Sequence, residues 1–210
     1  MNFESAIRGR RSIRQFKPDA VRPEIIREIL DEARWSPSWA NTQAWNIYVV
    51  TSNTLEHLKD AGTTPSEPGA SAGPDFRMPG EWPPHLAART KQLFELRAAF
   101  APGPTGPSEF FGAPCLLLFA VERGLASDYT LFDSGLIVQS VCLAAHAKGL
   151  GSCIMAMAVR DPDRLREVLP QAADKKFVVG VALGYPDDEA PINRFERQRA
   201  QLEEFVTWTE

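Results

Sequence analysis

Apolar residues recur along this chain at two periods, and the two alternate. Ile25, Ile26, Ile29, Leu30 and Ala33 share one helical face, with Arg27, Glu28, Asp31 and Glu32 opposite. That spacing predicts a helix opened by Pro23, whose missing N–H costs nothing in a first turn. It must close near Trp35, because Pro37 disfavours a helical Ser36. A shorter helix is predicted over 2–8, with Phe3 and Ile7 one turn apart and Gly9 freeing the exit. Residues 55–61, 86–100 and 162–169 read as further helices, the last with Asp161 as its N-cap. Leu86, Leu93, Phe94 and Leu96 make 86–100 amphipathic. Runs of β-branched and apolar residues predict strands at 47–51, 115–121, 153–157 and 177–183. The run 115–121 is continuously apolar, as expected of a strand buried on both faces.

Residues 128–148 are apolar nearly all the way round a helix, so that helix must be covered by its own sheet or by another subunit. Gln139 is a polar interruption there, either a satisfied core amide, which is the favoured reading, or a reach toward a ligand. Gly149 suits the left-handed cap at its end.

Composition narrows the partners. The 210 residues 1–210 are most simply one domain, able to bury roughly 70% of the unfolded surface. A net charge of −4 excludes a broad electrostatic footprint for nucleic acid. No apolar run approaches a membrane span and the N-terminus lacks a secretory pattern, so no membrane and a cytoplasmic address are expected. Cys115, Cys142 and Cys153 lie in apolar segments without short metal-ligand spacing and read as buried thiols, with no metal expected. His57, His85 and His146 are scattered. Neither a Gly-x-Gly-x-x-Gly nor a Walker loop occurs, so a separate dinucleotide-binding domain is not indicated. The excursion over 62–84 carries four glycines and six prolines and ends in Glu81-Trp82-Pro83-Pro84. It reads either as a lid with Trp82 as a flat apolar wall or as an exposed loop.

Candidate chemistry concentrates in three places. Arg10-Arg11-Ser12-Ile13-Arg14 packs three guanidinium groups and a hydroxyl into five residues. If extended, it points Arg10, Ser12 and Arg14 to one face and Arg11 with Ile13 to the other. Planar guanidinium groups bind phosphate oxygens bidentately, so the stretch is either an anion receptor or a solvated basic run. Pro37-Ser38-Trp39-Ala40-Asn41-Thr42-Gln43 joins a helix to a strand with amides and hydroxyls. Those groups can address a heterocycle edge or simply make local turns. Near the C-terminus, Gly184-Tyr185-Pro186 precedes Arg197 and Arg199.

The order Arg-Arg-Ser-x-Arg, helix, Pro-Ser-x-x-Asn-x-Gln-x-Trp, strand over residues 10–51, with the later Gly-Tyr-Pro turn and arginine pair, resembles the FMN-dependent nitroreductase family. Ala44 departs from the proline usual there. The resemblance implies an α+β fold with a central, mostly antiparallel sheet surrounded by helices, in an intertwined homodimer. FMN would lie at the subunit interface, accept hydride from NAD(P)H and pass it to a small nitroaromatic or quinone-like acceptor by a ping-pong mechanism. Arg10, Ser12 and Arg199, with Arg197, would hold the phosphate, Arg11 would be a further cofactor-binding residue, and Arg14 would tune the flavin ring. Pro37, Ser38, Trp39, Asn41 and Gln43 would reach the partner's cofactor, with Met155 and Ala156 beside the ring. Reductive dehalogenation or other flavin chemistry on the same fold remains open. So does a non-redox module for a phosphorylated ligand.

Overall fold

The computed structural model describes residues 1–63, 73–101 and 108–209. Its centre is a four-stranded sheet made by β1 (Trp45–Thr51), β2 (Cys115–Glu122), β3 (Gly151–Met155) and β4 (Lys175–Gly184). The spatial order is β1-β2-β4-β3 and every pairing is antiparallel. β2 is buried from Cys115 to Val121, as its unbroken apolar run requires. Its alternate residues feed two cores. Cys115, Leu117 and Phe119 face α2 (Pro23–Ala33) and α5 (Asp128–Ala147), while Leu116, Leu118 and Ala120 join Leu55, Leu58 and Leu165 on the other side. Those last three come from α3 (Ser52–Thr63) and α6 (Pro162–Val168). Each fully buried large side chain contributes about 1.5–3 kcal/mol, so a strand read by two cores is the least replaceable element.

Several boundaries and environments differ from expectation. The strand expected at 153–157 runs from Gly151 to Met155, and Ala156–Val159 turn into a 3-10 helix. α1 (Phe3–Gly9) forms, with the Asn2 side chain accepting from the Ser5 N–H. Only Ala6 of that helix is buried, and Phe3 is left 74% exposed. α4 (Pro84–Phe100) buries none of its described side chains despite the apolar set predicted for it. Trp82 is exposed at the end of the excursion, and the expected lid over 62–84 lies in part outside the described residues.

α5 buries one face through Ile137, Val138, Val141, Cys142 and Ala145. A second stripe, Tyr129, Phe132, Leu136, Gln139 and Leu143, steps by three and four residues and is exposed or half-buried. Gln139 therefore lies on that stripe and not in the protomer's core. α5 is long and apolar enough to cross a membrane by length and composition. Its packing on the sheet is that of a core helix.

The N-terminal segment after α1 runs past the start of β3 and the end of β4. Ile13 N–H donates to Ser152 O at 2.9 Å, Lys17 N–H donates to Tyr185 O at 2.9 Å, and Phe16 bridges Pro186. Gly151 permits this approach, since a Cβ there would sit 2.6 Å from Ile13 Cγ1.

Candidate functional site

Residues 10–14 leave α1 as extended chain and lie against 193–199, and the seam between them opens into a cavity of about 570 Å³. Arg10, Arg11, Ser12, Arg14, Arg197 and Arg199 all line it, joined by Arg89, Leu93 and Leu96 of α4. Glu196 and Glu204 are the acidic residues on its wall, so the arginines dominate. Alternation along 10–14 is only half obeyed: Ile13 turns into the core, but Arg11 stays on the cavity side. The reason is a partner that the stretch itself does not contain. Arg11 Nη2 donates to Phe195 O, and its guanidinium lies 5.6 Å from the centre of the Phe195 ring.

The arginines divide by what they hold. Arg197 donates from both terminal nitrogens to backbone carbonyls, those of Arg10 and Arg8, and so ties the two ends of the chain together. Arg14 Nη1 reaches Ser12 O at 3.3 Å, and Arg199 Nη1 reaches Gln198 O at 2.7 Å. The Arg10 guanidinium has neither a hydrogen-bond nor an ion-pair partner among the described residues. Asn193, 5% exposed, completes the seam. Its Oδ1 accepts from Arg14 N–H at 2.8 Å, and its Nδ2 donates to Gln15 O at 2.8 Å and Asp187 O at 2.9 Å.

Electrostatically the cavity is under-compensated. Burial pushes Arg11 down from the usual arginine range. Burial, Arg97 and Arg11 lower Arg14 against an opposing influence of Cys153, and burial with Arg11, Arg199 and Arg10 lowers Arg197. All remain cations at neutral pH. Beneath them His146 packs against Gly9, where a Cβ would fall 2.4 Å from Nε2. Arg97 of α4 has its Nε buried without a hydrogen-bond partner among the described residues. A dianionic phosphate and a planar polar ring would supply the counter-charge that this set lacks, so the residues fit FMN.

The loop after α2 is a separate feature. Ala40, Asn41 and Gln43 have φ of 48°, 56° and 49°, left-handed values that cost non-glycine residues about 1–3 kcal/mol each. α5 holds them there. Both carboxylate oxygens of Asp133, 3% exposed, accept from Trp39 N–H at 3.1 Å. Ser36 Oγ donates to Ser140 Oγ at 2.7 Å, and Ser38 Oγ accepts from Gln43 N–H at 2.9 Å. Within one protomer Pro37, Ser38, Trp39, Asn41 and Gln43 do not line the arginine cavity. Nor do Met155, which is in the core at 5% exposure, and Ala156, which is exposed. Tertiary structure thus brings six of the expected site residues together and leaves the other seven elsewhere.

Sequence analysis missed Asp133, Asn193, Arg89 and Arg97. Asp133 had a visible signal, an acid inside the most apolar helix. Arg89, Leu93 and Leu96 recur at helical spacing, but nothing local says what that face meets. The cysteines behave as expected, free and buried, with burial pushing Cys115 up to about 12.

Comparison with known proteins accords with this geometry. The family model described as the nitroreductase family matches residues 7–185. A 4-nitrobenzoate reductase of Pseudomonas putida is 30% identical, over 95% of this chain and 93% of that protein. A chloronitrobenzene nitroreductase of Comamonas testosteroni is 30% identical, over 98% and 96% respectively. Among solved structures, the FMN-dependent nitroreductase NfnB from Mycobacterium smegmatis in complex with NADPH superposes with a TM-score of 0.90 at 28% identity, covering 99% of this chain and 97% of that one.

Proposed function

This chain belongs to the nitroreductase family, and we propose that it works as a single FMN-binding unit, taking hydride from NAD(P)H and reducing nitroaromatic or quinone-like acceptors. One observation carries the proposal: cations from both ends of the polypeptide, Arg10 and Arg199, share a cavity where the Arg10 guanidinium has no protein partner among the described residues. The relatives' substrates and the NADPH bound to the M. smegmatis enzyme support it.

The division of labour follows from the hydrogen bonds. Arg10, Ser12 and Arg199 hold the phosphate, each charge-assisted bond contributing about 1.5–3 kcal/mol. Arg11 and Arg197, whose terminal nitrogens already serve backbone carbonyls, keep the two chain ends in register around it. Arg14 addresses the ring. FMN, when bound, supplies the hydride-transfer chemistry, and donor and acceptor use one pocket in turn, which gives ping-pong kinetics. The cavity wall contains no histidine or cysteine to act as base or nucleophile among the described residues.

The working form is a homodimer. The uncovered stripe of α5, exposed Phe205 and Trp208, and a helix α4 with Leu93 and Phe94 exposed all leave apolar surface that one protomer does not cover. A partner there brings the strained 37–43 loop to the second cofactor. Three free, buried thiols suit a cytoplasmic address.

The test is anaerobic. The purified protein should be yellow, bleach with NADPH or NADH, and regain colour on adding 4-nitrobenzoate, with a dimeric mass in solution. Colourless protein that fails to take up added FMN would overturn the proposal, and a monomer retaining FMN would overturn the dimer.

A further inference from the structure

Helix α4 walls the cavity without being held there by burial. None of its side chains is buried, although Arg89, Leu93 and Leu96 line the cavity. Within the helix Thr90 donates to Leu86 O, Lys91 pairs with Glu95, and Arg97 stacks on Phe94. Those contacts stiffen α4 but do not attach it to the rest of the protein. Attachment comes at two points. At its C-terminal end the Phe100 and Phe195 ring centres lie 6.0 Å apart, and Ala101 packs on the Ala190–Phe195 cluster. About 16 Å back along the helix axis, Arg89 meets Glu204 of the C-terminal segment. Arg89 Nη2 donates to Glu204 Oε2 at 2.6 Å, the one side-chain hydrogen bond or ion pair linking α4 to another segment among the described residues.

Glu204 is prepared for that contact. It closes the 3-10 turn Leu202–Glu204, where its Oε1 accepts from Gln201 N–H at 2.7 Å and leaves Oε2 to the guanidinium. The Gln201 N–H and Arg89 together hold its carboxyl below the usual range, so both partners are charged at neutral pH. Both line the cavity, and Glu204 follows Arg199 by five positions, which places the pair on the phosphate side. An exposed ion pair adds little to global stability. It can still govern a local motion, because a helix fixed at one end and tied once farther along swings when that tie opens.

We propose that Arg89 and Glu204 form a clasp across the phosphate side of the cavity that sets how fast FMN enters and leaves. The inference rests on the FMN reading above. The clasp is made by protein groups alone and asks nothing of the cofactor, so it slows entry and departure by the same factor. The contacts of Arg10, Ser12 and Arg199 act otherwise. They form only with the phosphate in place, and so they slow departure without slowing entry. Arg89 is accordingly part of a gate and not a ligand of the phosphate.

The experiment uses the full-length holoenzyme as wild type, R89Q, E204Q, R89K and the double variant R89Q/E204Q. The dissociation rate is read from the rise in free-FMN fluorescence after dilution, and Kd from the free fraction across a dilution series. R89Q and E204Q are expected to release FMN about fivefold faster with Kd within about twofold of wild type, so that association accelerates as well. R89K keeps the cation and should stay near the wild-type rate. The double variant should be no faster than either single one, because each already opens the same clasp. Unchanged release in both single variants overturns the proposal. So does release that accelerates in proportion to a weakened Kd, which would make Arg89 a direct phosphate contact. Effects that add in the double variant overturn it too, since the two side chains would then act separately. R89Q leaves the Gln201 turn intact and carries the test if E204Q loosens the C-terminal segment. Wild-type protein that takes up no FMN would defeat the functional reading itself, a result distinct from all of these.

Discussion

Asn193 Oδ1 accepts the backbone N–H of Arg14 at 2.8 Å, joining residues 179 positions apart. The same side chain donates to Gln15 O and Asp187 O, so one buried amide holds both walls of the arginine seam. Replacing Asn193 with alanine strands those three backbone groups. A single stranded buried group costs about 1–3 kcal/mol. Asn193→Ala should therefore destabilise by about 3 kcal/mol in urea titrations and weaken FMN binding, because Ser12 and Arg14 lose their frame. Asn193→Asp keeps the acceptor and loses the donors, and should fall between the two.

Arg10 and Arg197 are neighbours with opposite duties. Arg10→Ala removes a cation that the apoprotein does not use, so FMN affinity should fall about 10- to 100-fold while apoprotein stability is unchanged or rises. Arg197→Ala cuts the link to Arg8 O and Arg10 O and should lower both. Fluorescence titration with FMN and thermal melting without it separate the two. Equal stability losses for both variants would contradict the division.

The strained 37–43 loop depends on Asp133. Asp133→Ala removes the acceptor for Trp39 N–H and should cost about 1.5–3 kcal/mol, the range for a hydrogen bond to a charged group. With the tether gone, Ala40, Asn41 and Gln43 can leave their left-handed conformations. Faster proteolysis near Trp39 and a shift in tryptophan emission are the expected signs. Unaltered proteolysis at that loop would show that Ser36 and Ser38 suffice.

Gly9 and His146 are a packing pair. Gly9→Ala forces the imidazole aside and should destabilise, and most of that cost should vanish in the His146→Ala background, a non-additivity that a double-mutant cycle measures. Burial, Arg10 and Arg197 also hold His146 below its usual value near 6.5. The unfolded chain thus binds a proton before the native one does, so stability falls as pH drops below about 6.5 towards the native value. His146→Gln should flatten that part of the melting profile between pH 7.5 and 5.5.

Much of the scaffold was legible because its causes are local. The 23–33 helix follows from its apolar spacing and Pro23, the buried strand at 115–121 from an unbroken apolar run, and the Asp161 cap from a short-range hydrogen bond. Arg10, Ser12, Arg14 and Arg199 could be singled out by residue type and order. The Arg11 and Arg197 contacts could not, because each depends on a carbonyl more than 180 positions away, at Phe195 and at Arg10 and Arg8. The same holds for α4, whose pattern suggested a covered face and whose actual neighbour is a cavity. By itself, the amino-acid order determined which stretches become helices and strands and which side chains can bind an anion. Only tertiary structure decided which arginines are spent on backbone and which stay free for a ligand, because that depends on distances between segments that periodicity does not encode.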